Sequence, residues 1–293
     1  PWPAGRRAQP LGPVNLCYME GPTDPEVGVL CARTHDLRIP ALLLHFTCHP
    51  VNVFGNRASW LAVSADWPGT WSDGMRAHCG SDCVPLVLNG CCGNINPWDP
   101  WDPEFIPDHR RMGAALTESA TAALHSIEFT DTDTLDWRLR TVSLPYREVS
   151  QERLAEVERI LSDHPEPKYT EDGTRIDPQW FRAASTRSVE DARRREPEFP
   201  YEVQVFRIGD AMIVGLPGEP FVEGQLQIKV QAQAPYVFVA HNVSHYVGYL
   251  PTRAACERGG HEANDLYTYW AKLESGALER VVEETVRVVG DVY

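Results

Sequence analysis

YEVQVFRIGDAMIVGL, residues 201–216, is the stretch that decides the fold class. Apolar and polar residues alternate on both sides of Gly209-Asp210, the pattern of two antiparallel strands joined by a tight turn. Leu216-Pro217-Gly218-Glu219-Pro220 follows at once. Proline and glycine favour a turn there, so Glu219 is presented where the second strand ends. Beyond it, 220–233 reads as a helix and PYVFVA (235–240) as a strand. Upstream, RIPALLLHFT (38–47) reads as a buried strand, VPLVLN (84–89) as another, and 136–146 as a third. Residues 109–127 carry Met112, Leu116, Ala120 and Leu124 at helical spacing. Residues 150–163 form a helix opened by Ser150 as N-cap. Residues 272–289 set Leu278, Val281, Val282, Val286 and Val289 on one helical face. Strands alternate with helices, which predicts an α/β (α+β) fold: a mixed β-sheet core flanked by helices, in one large domain spanning 1–293.

Residues 164–200 break that rhythm. They are rich in Pro, Arg, Glu and Asp and poor in aliphatics, which predicts an exposed charged insertion with one helix near 188–196. A chain of 293 residues buries enough surface to fold without staples. Its net charge of −14 argues against nucleic acid and anionic membrane surfaces, which reward clustered Lys and Arg. No apolar run approaches the ~20 residues of a transmembrane helix. The opening PWPAGRRAQPLGP reads as a cut or mature end, and the compartment stays open. The eight cysteines form no CxxC pair and read as free thiols, with Cys79 and Cys83 the first candidates for a disulfide.

Four segments carry residues able to do chemistry. His45-Phe46-Thr47-Cys48-His49-Pro50 ends the first strand; residues four apart on a strand share a face, so His45 and His49 could converge on a metal. Glu219 could ligate a metal, act as a base, or simply start a helix. Ser244 to Thr252 packs one His and two Tyr ahead of a proline. Asn89-Gly90-Cys91-Cys92-Gly93-Asn94-Ile95-Asn96-Pro97 is a sharp turn whose backbone N–H groups could line an oxyanion site. Cys91 and Cys92 in it are buried thiols or, in a competing reading, the nucleophile of a Cys-dependent hydrolase.

Taken in order, these segments resemble the neutral/alkaline (non-lysosomal) ceramidase family, in its bacterial branch. The resemblance rests on GPTDPEVGVL (21–30), LLLHFTCHPVNV (42–53), VSADWPG (63–69), LNGCCGNINP (88–97), IGDAMIVGLPGEPFVE (208–223) and HYVGYLPTRAACERGGHE (245–262). It implies a mixed α/β catalytic domain holding one Zn²⁺, with His49, Glu219 and Tyr249 as ligands. It also implies an amidohydrolase acting on a small-molecule or lipid-like N-acyl substrate. Zinc would polarise the amide carbonyl and lower the pKa of the attacking water toward ~7. Family members carry a further zinc-binding His in an upstream THTHxGP-type segment; here no His precedes residue 35, so a missing N-terminal segment or a second chain would supply it. Asn96 and Asn94 stand where the family's GDVSPN-type turn has Ser and Asp. Asn96 would therefore support the oxyanion together with the 90–94 backbone, leaving attack to water. Asp66 would orient a ligand from behind, or cap a helix at Trp67-Pro68. A non-catalytic relative binding a ligand through Trp98, Trp101 and Phe105 is the alternative from another class.

Overall fold

The strand expected over 38–47 is the middle strand of a three-stranded sheet. The computed structural model describes residues 19–293 except 57, 60, 103, 261–262 and 264–269. The chain runs β1 (Gly28–Ala32), β2 (Ala41–Phe46), α1 (Asn52–Gly55), α2 (Asp66–Cys79), β3 (Val84–Asn89) and α3 (His109–Ser126). It continues with β4 (Leu135–Pro145), α4 (Gln151–Asp163), α5 (Pro178–Arg195), β5 (Glu198–Ile208), β6 (Ala211–Gly215) and β7 (Glu219–Pro220). Last come α6 (Val222–Gln231), β8 (Tyr236–Ala240), β9 (Tyr249–Leu250), α7 (Arg253–Arg258) and α8 (Ala277–Val292). The first sheet has order β1-β2-β3, the second β4-β5-β6-β8, and β7 pairs with β9. Parallel and antiparallel pairs occur in both larger sheets, so the fold is a mixed-sheet α/β fold. No helix among the described residues is long and apolar enough to cross a membrane.

Two cores hold the layers together. Leu42 and Leu44 of β2 meet Trp67, Trp71 and Met75 of α2 and Leu116 and Ala120 of α3. The α2 residues sit four apart, which places them on one helical stripe. The second sheet buries Val203, Val205, Met212, Val214, Val237 and Val239 against Leu278, Val281, Val282 and Val289 of α8. Helix α8 begins at Ala277, not near 272, because Gly276 adopts a left-handed φ of 93° that no regular helix includes. Ser150 caps α4 as expected, accepting from the Arg153 N–H.

Residues 164–200 lie mostly at the surface, but their helix is much longer than 188–196. Helix α5 starts at Pro178, with the Asp177 side chain accepting from Gln179 and Trp180 N–H. Asp-Pro is a start signal that high Pro content in the stretch obscures. One face of α5, with Ala183, Ser185, Thr186 and Val189, is buried. Glu190 on that face is 2% exposed and clamped by Arg193 and Arg194, both at 2.8 Å. The seven described cysteines are free thiols, so Cys79 and Cys83 are not bridged.

A buried polar network joins the segment before β1 to α6. Gln225, fully buried, donates through Nε2 to Asp24 and to Thr47, both at 2.6 Å, and accepts the Cys91 N–H at 2.8 Å. Lys229 adds a 2.8 Å contact to the same Asp24 oxygen. Burial raises the Asp24 pKa, but hydrogen bonds from Lys229 and Gln225 outweigh it and hold the carboxyl below its ordinary 3.8. A depressed folded pKa gives stability that is complete above the unfolded value and is lost as pH falls through the folded one. The expected result is an acid limb below about pH 3.8 in the unfolding free energy. Asp24→Asn should flatten that limb and destabilise the protein by about 2 kcal/mol at neutral pH. Urea titrations across that range check both; an unchanged acid limb would remove Asp24 from the account.

Candidate active site

The two segments that flank the network converge on His49 and Glu219. Strand β2 ends at Phe46, so Thr47 to Pro50 leave the sheet and the four-residue strand spacing does not apply. His45 therefore stays inside: it is fully buried, and its Nε2 lies 3.1 Å from the Val239 carbonyl of β8. Burial pushes its pKa down to about 4, a neutral core imidazole and not a partner of His49. His49 turns the other way and is fixed twice by one residue, its N–H and its Nδ1 both meeting the Ile95 carbonyl at 3.0 Å.

Glu219 arrives through the turn that closes the hairpin. Gly218 has φ 71°, and an added Cβ would sit 2.4 Å from the Gly248 carbonyl oxygen, so only glycine fits. The buried Tyr201 hydroxyl donates to the Pro217 carbonyl at 2.8 Å and fixes the turn from below. The Glu219 N–H donates to Gly248 at 2.8 Å, and β7 pairs with β9 so that Glu219 stands opposite Tyr249. One hundred and seventy residues apart in sequence, His49 Nε2 and Glu219 Oε2 lie 2.9 Å from each other.

Both tyrosines of the segment reach the pair. Tyr249 lays its ring against His49, centroids 6.4 Å apart and planes 29° off parallel. The hydroxyl that donates to the other Glu219 oxygen, at 2.8 Å, belongs to Tyr246. A pair of tyrosines in one tight segment was legible; which hydroxyl turns toward the carboxylate was not. Cys92 and His241 are a further pair that sequence reading missed. The Cys92 sulfur lies 3.8 Å from both ring nitrogens of His241. His241 is placed by its own N–H, which donates to Asn89 at the end of β3.

Burial works against a charge on His49, but hydrogen bonds to Cys92 and Glu219 outweigh it and raise its pKa far above the ordinary value. Burial likewise disfavours the Glu219 carboxylate, and bonds from His49 and Tyr246 reverse that and lower its pKa. The pair is an imidazolium facing a carboxylate. Burial holds His241 neutral, down to about 4. Burial pushes both the Cys91 and the Cys92 thiols up, the opposite of what a thiolate nucleophile needs. Both thiols are fully buried, so the Cys-dependent reading has no accessible nucleophile.

The turn at 90–97 also departs from expectation. The N–H groups of Gly90, Cys91 and Gly93 already donate to Phe46, Gln225 and Pro220. They are committed to the fold and do not face a substrate as oxyanion donors. The Asn94 amide is committed too: Oδ1 accepts from Val222 N–H at 2.9 Å and Nδ2 donates to Glu223 at 3.0 Å. Asn94 therefore ties the turn to the start of α6. Asn96, two residues on, is exposed. Asp66 does not orient His49 directly; its carboxylate accepts from Asn52 Nδ2 at 2.9 Å, Val53 N–H at 2.8 Å and Trp67 N–H at 2.8 Å. It pins the chain just after His49, with a φ of 50°.

Whether zinc suits this donor set can be judged from His49. Its Nδ1–H is spent on a carbonyl, the usual outer partner of a metal-bound imidazole. A neutral His49 would then point a lone pair at a carboxylate 2.9 Å away, so something positive must lie between them. A proton satisfies that. So does an ion, because two donors with ~2 Å bonds to one zinc stand ~3 Å apart. The residues fit. Among the described residues no three His, Cys, Asp or Glu side chains meet closely enough to hold an ion, so hydroxyl and outside donors are needed as well.

No family model matches this chain, and no curated protein does. Solved structures share its fold, two of them described as follows. A neutral ceramidase from Pseudomonas aeruginosa superposes with a TM-score of 0.62 at 18% identity, covering 91% of this chain and 46% of that one. A ceramidase complexed with C2 gives 0.60 at 15% identity, covering 91% and 48%. This chain spans about half the length of each.

Proposed function

We propose that this protein is a zinc-dependent, ceramidase-like hydrolase that cleaves an amide bond in an N-acyl substrate, small or lipid-like. One observation carries the reading: the buried meeting of His49 Nε2 and Glu219 Oε2 at 2.9 Å, with Nδ1 already held by a carbonyl. The shared fold with two ceramidases supports it. His49, Glu219 and Tyr249 would hold the ion, with the Tyr246 hydroxyl fixing the second Glu219 oxygen. A further histidine, from a missing N-terminal segment or a second chain, would complete the set. When bound, zinc supplies Lewis-acid polarisation of the amide carbonyl and acidifies water. The protein's own residues do the rest. Ile95 holds the His49 tautomer, and Tyr246 holds the second Glu219 oxygen. Asn96 donates to the oxygen that gains charge. A carboxamide cannot lose a proton at neutral pH, so Asn96 is no nucleophile and water attacks.

Metal analysis and hydrolysis together test this. The expected result is one zinc per chain and amide hydrolysis that stops on chelation and returns with zinc. Tyr246→Phe should weaken zinc binding about 10–100-fold, the loss typical of groups that orient a metal site. Tyr249→Phe should weaken it at least as much, since it removes a donor to the ion itself. A protein purified without zinc and unable to take it up would overturn the proposal.

A further inference from the structure

Strand β4 is an edge strand of the second sheet, and its first half exposes both backbone and apolar side chains. Leu135 is 71%, Trp137 62% and Leu139 47% exposed. They alternate along the strand, so they share one face. The register sets Ile208 and Phe206 of β5 beside Leu135 and Trp137, and these are exposed as well. Scattered exposed apolar residues are ordinary, but five joined by strand register form a patch of the kind that marks an interaction site. The edge itself is open. The Thr134 carbonyl accepts the Gly209 N–H, so the even-numbered residues turn their backbone groups toward β5. Leu135, Trp137 and Leu139 turn theirs outward. Those of Trp137 are met by side chains of its own strand: its N–H donates to Asp136 Oδ1 at 2.7 Å and its carbonyl accepts from Arg138 Nη1 at 2.7 Å. Arg138 Nη1 also donates to Asp136 Oδ1, at 2.6 Å. Further along, later parts of the chain close the edge. The Ser143 carbonyl accepts from Arg280 at 2.7 Å, and Tyr146 bridges to Leu273.

We propose that this edge pairs with the same edge of a second copy of the chain, antiparallel about a two-fold axis through Trp137. The sequence fits itself there. Leu135-Asp136-Trp137-Arg138-Leu139, laid against its own reverse, sets Leu135 opposite Leu139, Trp137 opposite Trp137 and Asp136 opposite Arg138. Outward groups meet outward groups in this register, so the three apolar residues exchange backbone hydrogen bonds with the copy. The two apolar patches join across the axis through Leu–Leu and Trp–Trp cross-strand pairs. Charged residues on an edge strand usually prevent pairing. Here they are opposite in sign and symmetric about Trp137, so they attract across the axis. A slip of two residues either way sets Arg138 against Arg138 or Asp136 against Asp136, and like charges directly opposite destabilise a strand pair. Within each copy, the Asp136–Arg138 contact that occupies the Trp137 backbone gives way to the same contact made across the axis. No charge is left unpaired. Leu135 lies beside the Gly209 turn, whereas Glu219 follows the opposite end of β6. The site of each copy therefore stays open, and the pairing does not rest on the hydrolase reading.

Sedimentation velocity of the full chain over a concentration series tests this. A short strand-to-strand contact is a small interface, so the wild type should pass from monomer to dimer between about 1 and 500 µM. Arg138→Asp sets like charges opposite each other twice and should weaken dimerisation about 10-fold. Asp136→Arg combined with Arg138→Asp restores opposite charges with the signs exchanged, and should dimerise as the wild type does. Neither side chain is buried, so thermal midpoints of the monomer should stay within the small range of surface changes. A wild type that is monomeric throughout would overturn the proposal. So would a dimer indifferent to Arg138→Asp, which would lie elsewhere on the surface, and so would a double variant that associates no better than Arg138→Asp alone. Flotation with phosphatidylcholine vesicles in place of self-association, abolished by Trp137→Lys, would make the patch a lipid contact and overturn it equally.

Discussion

Glu219→Ala should destabilise the chelator-treated protein by about 3–5 kcal/mol, the range for removing one partner of a buried ion pair. His49 and Glu219 are only 15% and 11% exposed at their side chains, so water restores little of what the pair loses. The variant leaves an imidazolium beside the Ile95 carbonyl with no opposing charge, and leaves Tyr246 without its 2.8 Å acceptor. Removing His49 as well should therefore return part of the loss, and a double-mutant cycle on urea midpoints reads the coupling directly. Zinc uptake should be abolished in both single variants, and amide hydrolysis with it. Midpoints within 0.5 kcal/mol of wild type, by the usual scale for neutral surface changes, would mean that the pair is not a buried charge pair.

Asn96→Ala should lower the catalytic rate by about 10²–10³, the usual loss for one oxyanion donor. The neighbours of Asn96 in the turn are spent on the fold. Gly90, Cys91 and Gly93 donate their N–H groups inside the protein, and the Asn94 amide is bonded at both ends. Among residues 90–97, Asn96 alone is exposed. Its replacement should leave zinc content and stability unchanged, since nothing in the fold leans on it. Asn94→Ala should show the reverse pattern, losing stability because Val222 and Glu223 lose their partner. Full turnover by Asn96→Ala with intact zinc would leave Asn96 a surface turn residue, and attention would pass to the metal as the sole carbonyl activator.

The sequence by itself determined the elements whose pattern is local. The 201–216 hairpin, the Ser150 cap and a strand within 38–47 follow from alternation, capping chemistry and an apolar run, and the structure has all three, the strand shortened to Ala41–Phe46. Residue type offered His45, His49 and Glu219 as candidates, and the family resemblance singled out His49 and Glu219. Other elements were hidden because their signals are diluted. Helix α2 carries Gly69 and Gly74 among its core tryptophans, and β1 is five residues with a glycine at its head. Helix α5 hides its start in a Pro-rich charged run. Only the tertiary structure decided the rest, because each case turns on where a side chain is aimed. His45 and His49 are four residues apart, yet one is locked to Val239 in the core and the other faces Glu219. Tyr246 and Tyr249 are three apart; the register of β7 on β9 puts one ring on His49, and the Tyr246 hydroxyl goes to the carboxylate. A backbone N–H looks equally available at every position of a glycine-rich turn until the fold assigns its acceptor. Composition and spacing fix which chemical groups a chain owns. Which of them are spent on holding the structure, and which are left facing outward to react, is decided by packing between segments far apart in sequence.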